Sequence, residues 1–141
     1  MKATANWISA LAFEATSDNG HSVKIDTTLK GGGLDTGMSP KQMLLASLCA
    51  CSGMDVVDIL RKMRVKYSRL EITAEAEQTD THPRVFTGIR MVYKTDAPAT
   101  AIDQVKKAVA LSQDTYCGII AMLRKHCDIE YAIELADEYF P

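Results

Sequence analysis

Apolar residues crowd into one long run, Met43 to Leu60, and elsewhere alternate with polar ones in short stretches. Ser39 stands before that run, with Pro40 at the first helical position and Gln42 three residues after the serine. This is the pattern of a capping box with a proline start. It predicts a helix from Pro40 to about Met63, its C-terminal dipole complemented by Arg61, Lys62 and Arg64. The first half is apolar all round, which predicts burial on every side, and the second half, Asp55 to Leu60, is amphipathic. Gly53 weakens the middle and marks a kink or a close backbone approach.

Period-two alternation predicts strands on both sides of this helix. Leu11/Phe13/Ala15 and Val23/Ile25 flank the turn Asp18-Asn19-Gly20, giving a small antiparallel meander. Thr27 to Met38 carries Gly31-Gly32-Gly33 and Gly37 and reads as a connector able to move or to cover a site. Leu70, Ile72, Ala74 and Ala76 alternate with charged or polar residues, as do Ile89, Met91 and Tyr93 with Val85 ahead of them. With the turn Gln78 to Pro83 between them, these form a hairpin whose solvent faces carry opposite charges.

Ile102, Val105, Val109 and Leu111 form the inward stripe of a second helix. Ser112, Asp114 or Thr115 is expected to cap a third, from Tyr116 to about Lys125. Cys127, Ile129, Tyr131, Ile133 and Leu135 form a last half-buried strand. The order argues for an α+β class, with one domain over residues 1–141.

Composition removes several function classes. A chain of 141 residues buries roughly two-thirds of its unfolded surface and needs no disulfide or structural metal to fold. A net charge of -2, with no basic cluster beyond Arg61-Lys62-Met63-Arg64, gives no case for nucleic acid. The apolar run is long enough to span a membrane. However, Asp55 and Asp58 would each cost about 3 kcal/mol near the bilayer centre, so a buried core helix is expected, with no membrane partner. The N-terminal residues lack the apolar core of a signal peptide, so a cytoplasmic location is expected, with the four cysteines starting as free thiols.

Those cysteines carry the chemistry. Cys117 is expected in the first turn of a helix, where amide donors and the dipole lower a thiol's pKa. Cys51 lies inside the long helix and needs a base or cation from elsewhere. Cys49 is about 200° around the helix from Cys51 and shares no face with it, so both Cys49 and Cys127 read as core. No paired CxxC supports zinc, and no GxSxG or HExxH surrounds His21, His82 or His126. Asp55 and Asp58 read as a polar helix face or as ion-pair partners of Arg61 or Lys62.

Ser39-Pro40 opening an apolar helix that leads to Cys51-Ser52 and Asp55-Val56-Val57, together with His82 to Thr87 and Leu111 through Cys117, resembles the OsmC/Ohr family of thiol-dependent hydroperoxide reductases. Within that family the chain looks most like the OsmC-like branch. The resemblance implies antiparallel sheets around a central cysteine-bearing helix, an intertwined homodimer and active sites at the subunit interface. It implies that Cys51 attacks the peroxide and becomes a sulfenic acid, that Cys117 resolves it as a disulfide, and that an external dithiol reopens it with no other cofactor.

Two features depart from the pattern. Lys41 stands where active members place a glutamate, and no arginine precedes Arg61. Lys41 or Arg84 must then supply the activating cation, Arg84 being the better match. Met43, Ser47 and Met54 would suit an apolar peroxide pocket. The alternative is a non-catalytic module that binds an apolar small molecule in the dimer cleft.

Overall fold

The computed structural model describes residues 1–136. The chain folds as two compact units, Met1–Leu45 and a second beginning at Ala46.

In the first unit β1 (Ala3–Ser9), β2 (Ala12–Ser17) and β3 (Ser22–Ile25) form an antiparallel meander in that order. The glycine-rich segment after it is not a loose connector. The Asp26 carboxylate is buried and accepts from the amides of Thr27, Leu34 and Thr36 at 2.8, 3.1 and 3.1 Å and from the Thr36 hydroxyl at 2.7 Å. Burial pushes this carboxyl up, but the hydrogen bonds outweigh it and the net shift is downward. A Cβ at Gly33 would lie 2.2 Å from the Thr27 carbonyl oxygen, and one at Gly37 would lie 2.3 Å from that of Lys24. Glycine is present because the backbone passes too close for any side chain. The expected covering loop is a tied knot.

Helix α1 (Pro40–Lys62) begins as predicted. The Ser39 amide donates to Gln42 Oε1 at 2.9 Å, and the Gln42 amide donates to Ser39 Oγ at 3.3 Å. Its end is a Schellman turn in which Arg64, at φ 59°, occupies the left-handed position usual for glycine. The Arg64 amide donates to Arg61 O and the Val65 amide to Leu60 O. Asp58 pairs with Arg61 and Lys62 on the exposed side. Only the stripe Leu48, Ser52, Val56 and Leu60 is buried, and Met54 stays 73% exposed. The single chain therefore does not bury the first half of α1 on all sides.

In the second unit β4 (Leu70–Gln78) and β5 (Phe86–Thr95) form the predicted hairpin, which sets Glu71 opposite Lys94 and Glu75 opposite Arg90. The third strand, β6 (Asp128–Leu135), runs parallel to β5, so the sheet is mixed rather than antiparallel. The cause is the connection. Helix α2 (Ile102–Leu111), a π-helical segment (Ser112–Tyr116) and α3 (Gly118–Leu123) form a crossover that returns the chain to the end of the sheet where β5 began. Ile89, Met91 and Tyr93 of β5, Val105, Ala108 and Val109 of α2, and Ile120 of α3 make the core. No new cap at Asp114 or Thr115 opens the third helix. Its N-cap is Cys117, whose sulfur accepts from the Ile120 amide.

Candidate active site at Cys51 and Cys117

Two elements of the second unit bring the thiols together. Cys51 sits on α1 beside the buried Ser52, and Cys117 sits at the break between the π-helical segment and α3. Their sulfurs are 2.7 Å apart, and the Cys117 thiol donates to Cys51 Sγ. Both are free thiols, and forming an S–S bond of about 2.05 Å needs only a sub-ångström approach.

The electrostatics of Cys117 run against the sequence expectation. Burial first, and its hydrogen bond to Cys51 second, push its pKa up to about 11, and amide bonds from Ile120 and Ile119 offset only part of the rise. A six-residue helix cannot match the loss of water around the sulfur. Cys117 therefore keeps its proton at neutral pH and presents it to Cys51, which is the more exposed of the two.

A polar chain, buried at Gln113, Tyr93, Ser52 and Ser112, links the elements that carry the two sulfurs. Arg124 donates to Gln113 Oε1 at 2.7 Å and to the Gln113 carbonyl at 2.8 Å. Gln113 Nε2 donates to the Tyr93 hydroxyl at 2.8 Å, which meets Ser52 Oγ at 2.5 Å. Ser52 Oγ meets Ser112 Oγ at 2.8 Å, and Ser112 donates to Asp55 Oδ2 at 3.0 Å. Burial pushes the Tyr93 phenol up despite the bonds from Ser52 and Gln113, so it stays a neutral donor. No buried side-chain polar atom among the described residues lacks a partner.

Beside Cys117 opens a cleft of about 310 Å³ lined by Gln113, Asp114, Thr115, Ala121, Arg124 and Lys125. Arg84 lies exposed on the loop between β4 and β5 and is not among these lining residues. Arg124 was not legible as a site residue, because its partner Gln113 lies eleven positions away across a turn that no periodicity marks. Met54, one of the three side chains expected to line a peroxide pocket, borders a separate open groove of about 610 Å³. Ala46, Cys49, Gly53, Val57 and Ile72 line the same groove. Burial raises the pKa of both Cys49 and Cys127; Cys127 is buried, whereas Cys49 is half-buried and faces this groove rather than the expected core. No three His, Cys, Asp or Glu side chains gather as a metal site among the described residues.

Residues 31–132, which include both thiols, match the family model described as OsmC-like protein. The chain belongs to the OsmC-like family. It is 32% identical over 135 residues to Protein YhfA of Escherichia coli strain K12, covering 96% of this chain and 98% of that one. Solved OsmC-like structures share the fold at low identity. The OsmC-like protein of Mycoplasma pneumoniae matches with TM-score 0.82 at 16% identity, covering 96% of each chain. The organic hydroperoxide resistance protein OhrB of Bacillus subtilis matches with TM-score 0.67 at 19% identity, covering 94% of this chain and 96% of that one.

Proposed function

We propose that this OsmC-like protein reduces organic hydroperoxides, with hydrogen peroxide as a further substrate, through Cys51 and Cys117. The observation that carries the reading is the pair of sulfurs 2.7 Å apart with the proton held on Cys117. It leaves Cys51 as the nucleophile. The Cys51 thiolate attacks the outer peroxide oxygen, the O–O bond breaks, and Cys51 becomes a sulfenic acid while the alkoxide leaves and takes a proton to form the alcohol. The Cys117 sulfur then attacks the sulfenic acid sulfur, giving the disulfide and water. An external dithiol reduces that disulfide and is itself oxidised, returning both thiols. OsmC-like relatives named for organic hydroperoxide resistance support the substrate class.

Arg84, exposed on its loop, is proposed as the cation that polarises the peroxide. We also read the chain as a homodimer, supported by the open apolar groove along α1 and the exposure of Met54 and Val57. The same groove favours one second reading, a non-catalytic module that holds an apolar small molecule. Steady-state consumption of cumene hydroperoxide with a dithiol reductant separates the two. Turnover by wild type and loss of about a hundredfold or more in Cys51→Ser is expected, whereas equal turnover in the variant would refute the peroxidase reading.

A further inference from the structure

The hydrogen bonds beside the thiols have a fixed direction at the two ends of the series. Arg124 can only donate, so the Gln113 oxygen must face it and the Gln113 amide nitrogen must face Tyr93. At the far end the Asp55 carboxylate can only accept, so Ser112 must donate to it. Between these ends the hydroxyls of Tyr93, Ser52 and Ser112 link in series, and either oxygen of each pair can donate, with Met91 Sδ 3.9 Å from the Tyr93 hydroxyl and the Ser52 carbonyl 3.4 Å from Ser112 Oγ as further acceptors.

The links join the two thiol-bearing elements. Ser52 adjoins Cys51 on α1, while Ser112 and Gln113 belong to the π-helical segment that ends at Cys117. Ser52, Tyr93, Ser112 and Gln113 are each at most 3% exposed, so breaking one link strands buried polar atoms rather than wetting them. A π-helical turn leaves the regular i→i+4 ladder and needs outside support to persist. Arg124 adds that support by gripping both the side chain and the main chain of Gln113.

We propose that this chain of hydrogen bonds from Arg124 to Asp55 positions Cys117 against Cys51, and that Gln113 and Tyr93 are positioning residues for disulfide formation. It rests on reading Cys51 and Cys117 as a redox pair. The consequence is a high effective concentration of one thiol at the other.

The test equilibrates the protein with reduced and oxidised glutathione. One oxidised glutathione and two protein thiols exchange for the protein disulfide and two reduced glutathiones, and the Cys51–Cys117 disulfide is quantified by mass spectrometry. Gln113→Glu keeps the size and the Arg124 grip but removes the donor to Tyr93, and Tyr93→Phe removes the central link. Each is expected to lower the equilibrium constant by about fivefold or more. Arg124→Lys, on the more exposed end, loses the two-pronged grip and serves if a core variant does not fold. Asp96→Asn, which disturbs a different set of hydrogen bonds to Ser68 and Arg69, is expected to lower thermal stability without moving the constant. A smaller change in folded chain variants, or an equal shift in Asp96→Asn, overturns the proposal. If the wild type forms no Cys51–Cys117 disulfide in oxidised glutathione, the redox reading falls and this inference falls with it. Disulfide formation without peroxide turnover would remove only the peroxidase reading.

Discussion

Cys51 and Cys117 touch, yet they stand in different surroundings, and the roles proposed for them rest on that difference. Cys117 is buried at the head of a short helix, and loss of water around its sulfur outweighs what two amides return. A pKa raised to about 11 leaves almost no thiolate at neutral pH. Pulsed alkylation with iodoacetamide and peptide mass spectrometry checks this directly. Cys51 should be labelled well before Cys117, with Cys117 labelling climbing only as the pH approaches that value. Labelling of Cys117 first would reverse the assignment of nucleophile and resolver.

At the level of elements, the ends of α1 were readable and its surroundings only in part. Ser39, Pro40 and Gln42 announce the N-terminus because the cap is made from residues that are neighbours in sequence. The C-terminal turn is built on Arg64 at positive φ, where a Cβ is strained, so Arg64→Gly is expected to raise stability by about 1 kcal/mol in urea unfolding. The β4–β5 hairpin was equally legible, since alternation and a turn are both local. Two features were not. Alternation marks β6 as a strand but says nothing of its direction, and the parallel pairing comes from the crossover before it. Ser112 looked like a helix cap because serines at such breaks usually are. It turns inward instead, because far away in sequence Asp55 accepts from its hydroxyl and Ser52 Oγ pairs with it. Of the candidate site, the two thiols were visible in their local contexts. The polar chain through Tyr93, Gln113 and Arg124 exists only once the fold has formed.

On the scale of the whole molecule, one buried carboxylate ties the segment after β3 in the first unit. Asp26 ties Thr27, Leu34 and Thr36, and its folded-state pKa lies below the ordinary 3.8. A depressed carboxylate contributes stability that is complete above its unfolded value and is lost as the pH falls through the folded one. Trp7, the one tryptophan, lies in β1 and reports on this unit. Its fluorescence should hold steady down to about that value and change below it. In Asp26→Asn the unit should already be weakened at neutral pH, with a flatter acid response. An identical acid profile in the variant would show that the loop is held by other contacts.

A single turnover tests whether Cys51 and Cys117 act as a peroxide-reducing pair. Reduced protein is mixed with one equivalent of cumene hydroperoxide, quenched by alkylation and mapped by mass spectrometry. A Cys51–Cys117 disulfide is expected in the wild type, and a sulfenic acid at Cys51 in Cys117→Ser. Unoxidised Cys51 and Cys117, or oxidation confined to Cys49 and Cys127, would contradict that reading.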